Sequence, residues 1–240
     1  NAMAQYHLYA MYHDGTGVTK DPKEAIKWIR MSANQGYDVA QLRLGVMYEF
    51  GSGIPEDSKE AAYWYRKSAD QGQVKAQSTL GLMYYSGEGV PKDNKEALKW
   101  FKMSADQGDA VGQFNLGVMH YNGEGVRKDN REAVKWYTKA AEQGEAMAQA
   151  NLGVMYMNGT GVTQDYKEAV KWFKMSIEQG EAVAARALNE LAACAVAHNS
   201  CGVAVKDGLD AALKVVHSSL VRNLKLGGVR FDERHGTQQQ

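Results

Sequence analysis

Six histidines, two cysteines and 28 carboxylates are the side chains from which this 240-residue sequence would have to build a catalytic or metal centre. The histidines are His7, His13, His120, His198, His217 and His235. No two stand four apart, the spacing that sets a pair of imidazoles on one helical face around zinc. Six residues apart, His7 and His13 point to different sides of a helix. Cys194 and Cys201 lie close together without further ligands at zinc spacing, and reduced thiols and a local disulfide both remain open. The acids recur in runs such as Lys95-Glu96-Ala97-Leu98-Lys99, the pattern of a solvated helix face. A catalytic carboxylate pair should break such a pattern and not obey it. No G-x-S-x-G elbow, P-loop or H-E-x-x-H is present, and the recurrent Gly-x-Gly follows no strand, so it reads as a turn between helices and not as a phosphate cradle. The sequence reads as a non-enzyme with no catalytic, cofactor-binding or metal residue and no cofactor.

Positive and negative residues balance at 28 each. Nucleic-acid binding needs clustered positive charge, so that class is excluded. A general pull toward anionic membranes is missing too. No apolar run approaches the roughly 20 residues of a membrane helix, so no membrane insertion is expected. Asn1-Ala2-Met3 reads as a cloning remnant ahead of a start methionine. On that reading the protein is cytoplasmic if Met3 is the native start, and periplasmic or secreted if a signal peptide was trimmed.

What would position any site is a repeat. Segments beginning at Ala4, Ala40, Ala76, Gly112 and Ala148 are each 36 residues long without insertion, and the register starts again at Ala184 and decays. All five tryptophans fall on one position: Trp28, Trp64, Trp100, Trp136 and Trp172. Each segment predicts two helices. The first, for example Ala76 to about Ser86, carries Ala76, Leu80, Met83 and Tyr84 on one face and stops at Gly-x-Gly. The second starts at an aspartate in Asp-x-(Lys/Arg)-Glu, where the aspartate caps the first turn and the glutamate can reach back, and it closes on Gln-Gly. A stripe such as Ala97, Trp100, Phe101 and Ala105 cannot be buried by one hairpin, so the array is stable only as an array.

Ala40, Leu44-Gly45, Tyr48, Gly51, Gly53, Asp57, Ala61, Trp64-Tyr65, Ala69 and Gln71-Gly72 resemble the Sel1-like repeat, a relative of tetratricopeptide repeats. The resemblance spans about residues 4–200. It implies an all-α, right-handed α/α solenoid superhelix of about five 36-residue helix-turn-helix repeats, with a C-terminal capping helix. It also implies a scaffold or adaptor, in bacteria often with host or envelope functions, that binds a peptide or protein of unidentified sequence on its concave face. One branch of the family, cysteine-rich, is linked to β-lactam binding and weak hydrolysis; this chain has only Cys194 and Cys201 where that branch has a pair in nearly every repeat. The first repeat departs from the pattern, with Tyr9 in place of the glycine and Ile29 in place of an aromatic, as expected of a terminal cap. His120 stands where other repeats have tyrosine and reads as a hydrogen-bonded packing residue.

First helices line the groove in the solenoids this sequence resembles, so a partner should meet first-helix positions that vary between repeats. The third offset supplies Leu42 and Phe114, the fourth Arg43, Thr79, Asn115 and Asn151, the tenth Glu49, Tyr85, Tyr121 and Met157, and the eleventh Phe50, Asn122 and Asn158. Amides pair with the backbone of an extended peptide, and aromatic side chains anchor it.

After residue 200 the repeat is gone. Leu209, Leu213, Val216, Leu220 and Leu224 predict an amphipathic helix over about 207–226, within a capping segment 201–228, followed by a polar tail 229–240. That segment is the alternative surface, through which the chain would form a structural homo-oligomer.

Overall fold

The structure is a computed structural model that describes residues 1–198. The expected helix over 207–226, the polar tail and Cys201 lie outside the described residues. Among the described residues every regular element is an α-helix: α1 (Ala2–Asp14), α2 (Pro22–Asn34), α3 (Asp38–Phe50), α4 (Ser58–Ala69), α5 (Val74–Ser86), α6 (Asn94–Asp106), α7 (Ala110–Asn122), α8 (Asn130–Glu142), α9 (Ala146–Asn158), α10 (Tyr166–Glu178) and α11 (Ala182–His198). The chain falls into two compact units, Asn1–Glu145 with α1 to α8, and Ala146–Gln240, whose described part holds α9 to α11. The fold is the all-α solenoid of helical hairpins that the repeat requires. Each first helix begins two residues ahead of the alanine or glycine that opens the register.

Local chemistry starts and stops these helices as the repeat demands. At the end of α5, Gly87 takes φ 83°, a left-handed conformation that costs a glycine little, and its N–H donates to the Met83 carbonyl. At the start of α6, Asp93 Oδ1 accepts from Lys95 N at 2.8 Å and from Glu96 N at 3.1 Å. Asp21, Asp57, Asp129 and Asp165 cap α2, α4, α8 and α10 in the same way.

The glutamate does not complete a reciprocal capping box. The N–H it would have satisfied is already taken: Asp93 N donates to the Tyr84 carbonyl at 2.9 Å, and the other four caps donate to the carbonyls of Tyr12, Tyr48, His120 and Tyr156. This bond folds the turn back onto the end of the first helix. The glutamates turn outward instead, where Glu24, Glu96, Glu132 and Glu168 pair with Lys27, Lys99, Lys135 and Lys171 three residues on.

The core of the Asn1–Glu145 unit forms between hairpins. Ala25, Ile29 and Ala33 of α2 pack with Ala40, Leu44 and Met47 of α3. Ala61, Tyr65 and Ala69 of α4 pack with Ala76, Leu80 and Met83 of α5. Ala97, Phe101 and Ala105 of α6 pack with Leu116 and Met119 of α7. Buried glutamines fasten the same seams. Gln77 Nε2 donates to the Ala69 carbonyl of the preceding hairpin at 3.2 Å, while its Oε1 accepts from Gln107 of its own hairpin at 2.8 Å. Gln41 does the same between Ala33 and Gln71, and Gln113 between Ala105 and Gln143. A buried amide left without such partners would cost about 1–3 kcal/mol.

In the Ala146–Gln240 unit the pattern recurs. Ala169, Val170, Phe173 and Ile177 of α10 pack with Ala184, Ala187, Leu188 and Leu191 of α11, and Gln179 donates to Gln149 Oε1 at 2.9 Å.

Within each hairpin one glycine sets how closely the two helices approach. A Cβ on Gly81 would lie 2.6 Å from the Phe101 ring, and Gly45, Gly117 and Gly153 meet Tyr65, Tyr137 and Phe173 in the same way. The first hairpin reverses the pair, placing Tyr9 where the glycine would be and the smaller Ile29 where the aromatic would be, both buried in one cluster. Two departures that look like independent signs of a terminal repeat are therefore one exchange of volume. The tryptophan register is held by the ring: the indole N–H groups of Trp28, Trp64, Trp100 and Trp172 are buried without an acceptor. Lysines lie over four of the rings, closest at Trp136, whose centroid is 4.2 Å from Lys139 Nζ. His120 differs from its expected role, since its Nδ1 is buried and meets no hydrogen-bond partner.

Two outcomes follow for urea unfolding of single and double variants. Gly81→Ala is expected to cost about 1–3 kcal/mol by overpacking. Combined with Phe101→Ile it should cost less than the sum of the two single changes, with a coupling above about 1 kcal/mol; strict additivity would show that the pair does not set the helix approach. Asp93→Ala should cost about 1 kcal/mol as a lost cap, and Glu96→Ala no more than about 0.5 kcal/mol as a lost surface pair. Equal costs would mean that the capping box is closed after all.

Candidate functional site

An α-helix turns 100° per residue, so positions spaced four, three and four apart share a face. In α5 that face holds Lys75, Thr79, Leu82 and Ser86; in α7 it holds Val111, Asn115, Val118 and Asn122; in α3 it holds Val39, Arg43, Val46 and Phe50. It lies about a quarter turn from the buried stripe of Ala76, Leu80 and Met83, and roughly opposite the buried Gln77 and Gly81. Phe50 is 54% exposed, Leu82 41% and Val111 39%.

The partner-facing residues expected from the sequence divide into two groups. Those of the fourth and eleventh offsets, Arg43, Phe50, Thr79, Asn115 and Asn122, lie on this face. Those of the third and tenth offsets sit about a quarter turn away, and several are engaged within the chain. Leu42 packs against the cluster around Tyr65 and Leu80. Phe114 rests on the Tyr137 ring, centroids 5.9 Å apart. Glu49 accepts a hydrogen bond from the Tyr65 hydroxyl, and burial first, then that bond, push the Tyr65 pKa up. Tyr85 donates to Glu124 Oε2 at 2.7 Å, reaching from its own first helix to the following hairpin's turn, and the bond raises its pKa. Tyr121 stays 39% exposed with Lys128 Nζ 5.3 Å from its ring centroid.

The polar groups of the outward face have a definite orientation. Arg43 Nε donates to the Tyr9 hydroxyl at 2.8 Å. Asn115 Nδ2 donates to the Val111 carbonyl one turn back at 2.8 Å, and Asn122 Nδ2 lies 3.4 Å from Glu124 Oε2. Both amides thereby spend a donor on their own chain and keep Oδ1 as an acceptor.

In the Ala146–Gln240 unit, Asn151 and Asn158 lie on the corresponding face of α9 together with Met147 and Val154, and both Val154 and Met157 pack against the α10–α11 core.

Sequence reasoning missed the apolar members of the face: Val39, Val46, Leu82, Val111, Val118, Met147 and Val154. A signal for them is present. The first helices are apolar on two sides, whereas one stripe is enough for a helix that only closes a core. Among the described residues no group of three or more His, Cys, Asp or Glu side chains is placed to hold a metal, and no helix is long and apolar enough to cross a membrane.

The helical hairpins match those of related proteins. The family model of the Sel1 repeat matches residues 2–37, 38–73, 74–109, 110–145 and 146–181, the same bounds at which the first helices begin. A Sel1 repeat protein from Oxalobacter formigenes is 37% identical with a TM-score of 0.71, over 75% of this chain and 74% of that one. The uropathogenic Escherichia coli protein c5321, described as a protective antigen displaying an SLR fold, is 31% identical with a TM-score of 0.59; the match covers 95% of this chain and 57% of that one. An immunity protein, Pa5087 from Pseudomonas aeruginosa, shares the fold at 19% identity, with a TM-score of 0.50 and coverage of 94% and 81%. Comparison with curated protein sequences found no match. With five consecutive repeats matched over three quarters of its length, the chain belongs to the Sel1 repeat family.

Proposed function

We propose that this protein is a scaffold that binds a segment of another protein across the outward face of its first helices, centred on α5 and α7. The observation that carries the reading is the second apolar row on those helices. Leu82 and Val111 stay more than a third exposed, and Val118 stays partly exposed, although the same helices already bury a full stripe. Exposed apolar side chains recurring in register on adjacent helices are what an interaction surface needs. The Sel1 repeat fold is commonly a protein-interaction scaffold, which agrees with this reading. So does the state of the perturbed ionisable groups. The phenols of Tyr6, Tyr65 and Tyr85 are raised by burial or by a carboxylate acceptor and sit in different hairpins. Converging acids and bases, the mark of a catalytic centre, are not what they form. Asn115 and Tyr121 supply the polar and aromatic contacts of the surface, and Phe50 and Asn122 its margin.

Affinity capture from the source organism tests this. The Asn115→Ala/Tyr121→Ala double variant should lose the partner that wild type retains, with its thermal midpoint within a few degrees of wild type. A Lys99→Ala/Met103→Ala variant on the exposed side of α6 should keep that partner. Retention by the first variant, or loss by both alike, contradicts the proposal.

A further inference from the structure

The side of a first helix that carries Ala, Leu and Met is a seam surface, and α1 carries it without a helix to meet. Ala4, Gln5, Leu8, Met11 and Tyr12 repeat, residue for residue, Ala40, Gln41, Leu44, Met47 and Tyr48 of α3 and Ala76, Gln77, Leu80, Met83 and Tyr84 of α5. In α3 and α5 the alanine and leucine of this row are fully buried against the second helix of the preceding hairpin. In α1, Ala4 is exposed and Leu8 and Met11 are partly exposed. The departures at Tyr9 and Ile29 lie elsewhere, between α1 and its own partner α2.

Two polar groups on the same side of α1 are left half-used. Gln5 Oε1 accepts from Gln35 Nε2 at 2.6 Å, as Gln41 and Gln77 accept from Gln71 and Gln107. The Nε2 groups of Gln41 and Gln77 then donate across the seam to the carbonyls of Ala33 and Ala69, and no acceptor stands at that place for Gln5 among the described residues. The hydroxyls of Tyr48 and Tyr84 accept from Arg30 and Arg66 of the preceding second helix, and no such donor reaches Tyr12 among the described residues. An apolar row, an amide donor and a phenol in the spacing of a finished seam select one kind of ligand. It is a helix like α2 or α4, with Ala-x-x-x-(Ile/Tyr)-x-x-x-Ala, an arginine directly after the central residue and an open carbonyl in its last turn.

We propose that the seam side of α1 receives the second helix of one further hairpin of this repeat type, joined directly ahead of α1. Its alanines pack on Ala4 and Leu8, its last-turn carbonyl accepts from Gln5, and its arginine donates to the Tyr12 hydroxyl. Covalent connection belongs to this kind of contact. Seams of the Asn1–Glu145 unit join helices that are consecutive in the chain, through residues 35–37, 70–73 and 107–109, and the glutamine bond spans eight residues. The surface is separate from the outward face of α5 and α7, and neither depends on the other.

Hydrogen exchange of the full chain tests this, with and without a second copy of residues 38–73 placed ahead of Ala2, so that Gln73 takes the place of Asn1 and the α4 sequence meets α1. The added hairpin should raise the helical circular-dichroism signal and slow exchange of the α1 amides at least about tenfold. Leu8→Glu should abolish the slowing, bringing α1 exchange in the extended chain within about twofold of the same variant without the added hairpin. Unchanged α1 exchange, slowing that survives Leu8→Glu, or an added segment without helical signal would each overturn the proposal, since a hairpin of this type folds only against a seam that fits it. The rival occupant is a second copy of the protein. Sedimentation of the unextended chain should show no dimer that depends on Leu8; a dimer lost in Leu8→Glu would assign the surface to self-association and overturn the proposal.

Discussion

Each hairpin of this chain is incomplete. Within each of the two units, its second helix carries a stripe that the first helix of the following hairpin covers, and the buried alanines and glutamines of the repeat serve that seam. Alanine recurs at the seam because the helices must come close there: Ala61, Ala69 and Ala76 are all fully buried around Tyr65 and Leu80. The buried glutamines are the polar counterpart of this packing. Gln41, Gln77 and Gln113 each join the C-terminal turn of one hairpin to the next, using both ends of the amide. Apolar contact along a seam tolerates sliding, whereas a two-ended amide bond does not. The glutamines therefore fix the register between repeats, in keeping with the absence of any insertion or deletion across five of them.

The same constraint explains why the first helices can carry a binding surface. A first helix meets the seam with Ala, Leu and Met, and its own hairpin partner with Gly. Its outer side is left to vary, from Val39, Arg43, Val46 and Phe50 in α3 to Val111, Asn115, Val118 and Asn122 in α7. Variation there touches the core only at the position of Val46 and Val154, which pack against buried clusters. The side chains a quarter turn away occupy a middle ground. Glu49, Tyr85 and Phe114 vary between repeats, as a contact residue would, yet each is committed to a tyrosine, a glutamate or a ring elsewhere in the Asn1–Glu145 unit. They shape the border of the face and hold its charges in place.

Most of the architecture was legible in the residues. The aspartate caps, the glycine stops and the in-register tryptophans give helix type, number and approximate bounds without any structure. Four things were not legible. The closure of the turn depends on a backbone bond from each capping aspartate to a tyrosine or histidine carbonyl, and backbone bonds leave no mark on residue type; that bond is why Glu96 faces Lys99 and not its own cap. The coupling of Tyr9 with Ile29 was visible as two substitutions but becomes one only when Gly81 is seen against Phe101. The division of variable first-helix positions into an outward face and an inward border requires the neighbouring hairpin, because sequence offsets three and four differ by a single residue and point to different surroundings. Apolar residues such as Leu82 and Val118 escaped notice for the opposite reason: an apolar residue in a helix is ordinarily assigned to the core.

The central claim is that a partner lies against the outward side of α5 and α7. Site-specific incorporation of a photoreactive phenylalanine analogue tests it at single residues. Placed at position 82 or 118, the analogue should capture the partner on illumination, and placed at position 103, on the exposed side of α6, it should not. Capture from position 103, with none from positions 82 and 118, would contradict the account.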